Sequence, residues 1–364
     1  MQTLTRGLLI SAIALALTLS GLEIGVRWFF PDEVDPDVLQ EQLQGSSVRA
    51  LVEPSTDPAL FFELKPSLRV WAQGTWMITS PDRFRISPPK PRAASATSEA
   101  PRYRIAIVGD STSFGWGVSY DDTYPERYRR RLAEIASAPI ELRNYSVPAY
   151  NALQELRTFE TKIRAYRPDL LIVHHDHNDA DPTSKMMGDA YMPVEYGDNL
   201  LHSALIKWSV RRLRQLRNEG ARSVEETGHR RVGGYLAGGP LYQAQLDARR
   251  ALAGEATTLG IPVIAVIFNA FVSRDPSYER SKVYTELHAN LATKLAAMGY
   301  HVLDLYPRYQ TLLTQRGWPN LMPLWLSPTD GHPNVQGHQF IADELVSFTL
   351  KDPRLAAVFG IEGR

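Results

Sequence analysis

From Arg102 to Leu350, short runs of apolar and β-branched residues alternate with longer helical patterns, and this alternation constrains the fold more than any other feature. The strand candidates are Ile105–Val108, Ile140–Tyr145, Leu170–His174, Pro262–Phe268 and His301–Leu305. The helix candidates are Tyr124–Ala136, Leu153–Tyr166, Tyr242–Leu259, Tyr284–Met298 and Val335–Leu350, with Gly260 and Gly299 where C-caps are expected. Such alternation implies a parallel sheet with helices on both faces. Ligands then bind beyond the carboxyl ends of the strands. No internal repeat recurs at a fixed period.

Gly109-Asp110-Ser111 comes directly after the run Tyr103–Val108. A serine at a strand-to-helix turn is held by rigid elements and lies near helix N-terminal amides, which favour negative charge. To act as a nucleophile it needs a base and a group that orients the base. Asp330-Gly331-His332-Pro333-Asn334 offers both, just before the last helix. Two further polar blocks follow strands: Asn144 to Asn151 after the second, and Asp176-His177-Asn178-Asp179 after the third. In a parallel sheet all four blocks reach the same edge. The chain therefore reads as a serine-dependent acyl-group enzyme with the order Ser, Asp, His. Blander readings remain open for three of the blocks. Ser111 can be only an N-cap, Asn178 a turn residue, and Asp330-Gly331 a turn with a solvated His332. The run His174-His175-Asp176-His177 invites a metal reading. Neighbours on a strand alternate faces, however, so no metal and no cofactor are expected.

Together the four blocks resemble the SGNH superfamily, the GDSL-type esterases and lipases, over Arg102 to Leu350. The resemblance implies a three-layer α/β/α, flavodoxin-like fold with a five-stranded parallel sheet. It implies Ser111 as nucleophile, His332 as general base and Asp330 as the orienting carboxylate. It implies an oxyanion hole from the Ser111 amide, the Ala149 amide and the Asn178 side chain. Three positions depart from the family pattern. Ala149 and Asp176 stand where glycine is usual, and the acid lies two residues before the histidine rather than three. Trp116, between Gly115 and Gly117, is read as a wall of the acyl pocket or as packing. An apolar N-terminal segment with Glu23 and Arg27 near its end, followed by Phe62-x-Leu64-x-Pro66, resembles membrane-anchored bacterial members.

Lys and Arg total 40, as do Asp and Glu, and this balance argues against a nucleic-acid partner. There are no cysteines, so disulfides, thiolate zinc sites and a lipoprotein anchor are excluded. Gly7 to Leu22 is uncharged and mostly apolar. It reaches spanning length only if Glu23 lies at the interface, which Trp28-Phe29-Phe30 would suit. A cleaved signal and a buried soluble helix are the other readings. Arg6 before the run and Asp32, Glu33 and Asp35 after it place the main domain outside the cytoplasm.

The expected layout is an anchor or signal over 1–30, then a stalk, packing segment and Pro/Ala/Ser linker over 31–101. An SGNH-like domain over 102–350 follows, with an insertion at 186–239, and a tail over 351–364. Within the insertion, Leu205 to Arg217 reads as an amphipathic domain cover or as a basic helix on an anionic membrane surface. The expected function is an extracytoplasmic esterase or deacylase. Its substrate is an O-acylated small molecule or an envelope or exported carbohydrate, and the membrane is met through the N-terminal helix. An O-acyltransferase using the same triad, and a non-catalytic glycan-binding or assembly protein, are the alternatives.

Overall fold

The computed structural model describes residues 2–29, 48–88, 102–176, 179, 205, 209, 238–268, 282–327 and 330–361. Two compact units divide the chain, 1–47 with 192–223, and 48–191 with 224–364. In the first, helix α1 (Gln2–Phe29) contains a stretch, Ile10–Phe29, long and apolar enough to cross a membrane. Its Glu23 and Arg27 lie one helical turn apart and form an ion pair of 2.8 Å. The segment Leu205 to Arg217 falls almost entirely outside the described residues.

The second unit is built on strands β1 (Val52–Pro54), β2 (Phe62–Leu64), β3 (Arg69–Ala72), β4 (Thr75–Thr79), β5 (Arg85–Ile86), β6 (Tyr103–Val108), β7 (Ile140–Asn144), β8 (Leu170–His175), β9 (Val263–Ile267) and β10 (His301–Asp304). β6 to β10 are parallel neighbours in the order β7-β6-β8-β9-β10. The expected five-stranded sheet needs correction, because β5, β4 and β3 extend it antiparallel beyond β7 to eight strands. These added strands are short and follow Pro- and Gly-containing turns, so their periodicity does not reveal which edge they join. Their pairing covers an edge of β7 that would otherwise expose unpaired backbone groups.

Side-chain alternation along the parallel strands sorts the core into two layers. Ile105, Ile107, Ile172, Ile264 and Val266 face one cluster. Ala106, Val108, Leu171, Val173 and Ala265 face the other. The first is closed by α3 (Tyr124–Ala133), α7 (Tyr306–Arg316), α8 (Val335–Lys351) and α9 (Pro353–Val358) through Tyr128, Leu313, Ile341, Leu345 and Leu355. The second is closed by α4 (Ala152–Thr158, continuing through a π-helical turn to Tyr166), α5 (Pro240–Thr258) and α6 (Lys282–Ala297) through Phe159, Leu252 and Leu295. The stretch after Lys351, read from sequence as a tail, instead places Leu355 and Phe359 in the core.

A buried ionic cluster fastens α4 and α5 to the end of β8. Arg249 of α5 pairs with Glu155 of α4 and with Asp179, and Asp179 also holds His175 Nδ1 at 2.7 Å. Burial alone would lower Arg249, but the two carboxylates outweigh it and hold the guanidinium charged. Removing one member of such a cluster leaves uncompensated buried charge. Arg249→Met is expected to destabilise the protein by about 3–5 kcal/mol. Urea denaturation followed by circular dichroism measures this.

Candidate active site

β6 delivers Ser111 to the carboxyl edge of the sheet. Immediately after Asp110 comes α2 (Ser111–Phe114), a single turn that ends at Gly115, well before α3 begins. Asp110 Oδ1 accepts the Thr112 N–H at 2.9 Å and so sets the start of that turn. Gly109 is required by close approach. A Cβ there would lie 2.3 Å from Ser113 Oγ and 2.6 Å from His174 Cβ.

His332 arrives on a separate hairpin, β11 (Trp325–Ser327) with β12 (Asp330–Pro333). Asn334 ends the hairpin by capping α8, accepting the Gln336 and Gly337 N–H groups. The structure brings three sequence candidates into one chain. Ser111 Oγ and His332 Nε2 are 2.8 Å apart, and His332 Nδ1 and Asp330 Oδ1 are 2.6 Å apart. Asp330 Oδ1 also accepts the His332 backbone N–H at 3.0 Å. With Nδ1–H donated to the carboxylate, Nε2 is left to accept the serine proton. Trp116 lies beside this pair, with ring centroids of Trp116 and His332 6.2 Å apart.

Burial opposes a charged His332, but the hydrogen bond and charge of Asp330 outweigh it, assisted by Asp110 and Asp176. The imidazole therefore titrates above its ordinary range. Asp330 is also opposed by burial, yet its bond to His332 holds its carboxyl below the usual carboxylate range.

Ala149 occupies a tight turn. The Tyr150 N–H bonds Val147 O at 3.1 Å, Pro148 fills the first corner, and Ala149 adopts φ 75° at the second. That is the pattern of a type II turn, whose second corner favours glycine because a Cβ is strained at positive φ. The structure thus explains why glycine would suit this position. Asn178, the third expected oxyanion donor, lies outside the described residues, as does His177.

Asp176 is buried near Asp110 and His174, and these three offer ligand atoms within 4.8 Å of one another. They are the one grouping among the described residues close enough to hold a metal ion. A proton also accounts for it. Burial and then the Asp176 carboxylate push Asp110 up to about 7. Burial pushes His174 down to about 4, so its ring is neutral at physiological pH. Since the folded value of Asp110 is raised, its contribution to stability is full below the ordinary carboxylate range and is lost as pH rises through about 7. Sequence reasoning assigned no role to Asp110, and read His174 only within a run whose metal role was set aside. Asp110 follows β6 and His174 lies near the end of the neighbouring β8, and this placement was the available signal.

A family model for GDSL-like lipases and acylhydrolases matches residues 107–340, and the chain belongs to that family of hydrolases acting on ester bonds. No curated protein matches the chain. Among solved structures it is similar to the acetyl xylan esterase AlAXEase, at 14% identity over 67% of this chain and 98% of that one, with a TM-score of 0.43. It is similar to the psychrotrophic esterase EstA from Pseudoalteromonas sp., at 14% identity over 68% and 97%, with a TM-score of 0.39. A catalytic mutant of Axe2, an acetylxylan esterase from Geobacillus stearothermophilus, shares 13% identity over 68% and 93%, with a TM-score of 0.40.

Two outcomes follow from this geometry. Ala149→Gly should relieve the positive-φ strain and stabilise the protein by about 0.5–1 kcal/mol, read as a rise in thermal midpoint. Asp330→Asn should move the acid limb of the kcat/KM profile to lower pH, because His332 loses the carboxylate that raises it. The plateau should fall by on the order of 10³–10⁴-fold as the orienting carboxylate is lost. A pH–rate series on a soluble ester measures both effects.

Proposed function

We propose that the protein is a membrane-anchored, extracytoplasmic esterase or deacylase in which Ser111 is the nucleophile, His332 the general base and Asp330 its orienting carboxylate. The observation that carries the catalytic assignment is the continuous hydrogen-bond chain from Asp330 through His332 to Ser111. His332 Nε2 takes the Ser111 proton as Oγ attacks the acyl carbon. The tetrahedral oxyanion is held by the Ser111 and Ala149 amides and the Asn178 side chain, and preorganised donors of this kind supply much of the rate. The imidazolium then protonates the departing alcohol oxygen, leaving an acyl ester on Ser111. Water, deprotonated by His332, attacks that ester, and the carboxylic acid leaves as Ser111 regains its proton.

The location rests on α1, on Arg6 before its apolar stretch and on the acidic residues beyond Phe30. The paired Glu23 and Arg27 reduce the cost of placing both near an interface. A domain held outside the cytoplasm meets envelope and exported glycans, and we place the O-acyl ester on such a carbohydrate.

Ser111→Ala and His332→Ala should each abolish nearly all turnover of a short-chain aryl ester. The double variant should be hardly slower than either alone, because the residues act as a unit. Losses that multiply would mean independent roles. The same enzyme should release acetate from O-acetylated oligosaccharides. Aryl-ester turnover without acetate release from any such glycan would leave the triad standing and remove the carbohydrate assignment.

A further inference from the structure

We propose that Arg85, which lies outside the family-matched region, is a positioning residue that fixes the turn carrying Ser111. This rests on Ser111 being the nucleophile. Arg85 sits on β5 with only 1% of its surface exposed. Its guanidinium donates to the carbonyls of Phe114 at 2.5 Å, Gly115 at 2.6 Å and Val118 at 2.7 Å. It also lies over the Phe114 ring, 4.7 Å from the centroid. Asn144, its partner across the β5–β7 pair, donates to Ser113 O at 2.7 Å. The two side chains thus hold consecutive carbonyls of the segment that begins at Ser111.

The restraint passes directly to the nucleophile. The Gly115 and Trp116 N–H groups both bond Ser111 O, at 3.1 and 3.0 Å. Gly115 is left-handed at φ 85°, and a Cβ there would lie 2.7 Å from Arg85 Nη1 and 2.3 Å from Thr123 Cγ2. The turn therefore closes around the guanidinium. A planar fork can serve several carbonyls at once, which a lysine ammonium on a flexible stem does less well. Burial lowers Arg85 only to about 10, so it is charged at neutral pH.

The same N-terminal segment reaches the turn that carries Ala149. Tyr150 Oη donates to Phe62 O at 2.6 Å, and Gln154 Nε2 donates to Leu60 O at 2.7 Å. Residues 60–85 thus brace both the nucleophile turn and the turn beside it, and are part of the catalytic scaffold rather than a spacer.

The test uses full-length protein and a short-chain aryl ester. Arg85→Lys should lower kcat by on the order of 10–100-fold with KM within about twofold, since a small displacement of a reacting group costs rate more than binding. The acid limb of its pH profile should not move, because Asp330 and His332 are untouched. Guanidinium ion at millimolar concentration should partly restore Arg85→Ala, whereas methylammonium should not. Arg250→Ala, which removes an exposed ion pair to Asp247 on α5, should stay within about twofold of wild type. If the Arg85 variants do not fold, Asn144→Asp removes the donor to the adjoining Ser113 carbonyl, keeps the acceptor for the Ser146 N–H, and should still lower kcat several-fold. An unchanged kcat in folded Arg85→Lys, or in Asn144→Asp where that is the variant that folds, overturns the inference. So does a loss fully recovered at a temperature where the variant is completely folded. Turnover retained by Ser111→Ala in the same assay would instead overturn the esterase mechanism itself.

Discussion

One hydrogen-bonded chain, Asp330 to His332 to Ser111, joins residues separated by 221 positions, and much of the architecture serves to hold its two ends. Ser111 leaves the central strand β6, flanked on both sides by parallel neighbours. His332 comes on a hairpin fixed by the Asn334 cap of α8, and α8 packs against α3, which follows the Ser111 turn. Both ends are thus referred to the same helical layer. Hydrogen-bond distances of 2.6 and 2.8 Å demand this common frame, because a relative slip of 1 Å would break the chain.

Electrostatics at this edge is governed by burial. Arg85 offers a buried positive charge to backbone carbonyls, and Arg249 offers one to two carboxylates. Asp110 and Asp176 lie close together and buried, so both do not ionise readily at neutral pH. Asp176 follows β8 and Asp110 follows the neighbouring β6, so adjacent parallel strands bring this acid pair together. Its charge acts on His332 in the same direction as Asp330, favouring the protonated ring.

The parallel core was legible because its signal is local. The runs around Ile107, Ile172 and Val266 are apolar on both faces, as strands covered by helices must be. Ser111, His332 and Asp330 were legible because strand-end placement sends separated blocks to one edge. The antiparallel extension was not, since Arg69 to Ile86 pairs through a contact, Arg85 with Asn144, that no periodicity specifies. Arg85 itself reads as an ordinary surface arginine until the turn after Ser111 is folded around it. Likewise Ala149 could be flagged as a departure from glycine, but its positive φ required the turn geometry.

The most direct measurement is the site of covalent modification by a reactive alkyl fluorophosphonate, mapped by peptide mass spectrometry. The account predicts one adduct, on Ser111, that is lost in Ser111→Ala and slowed strongly in His332→Ala. Absence of any adduct on the folded native protein, or modification of another serine such as Ser113 with Ser111 untouched, would contradict it.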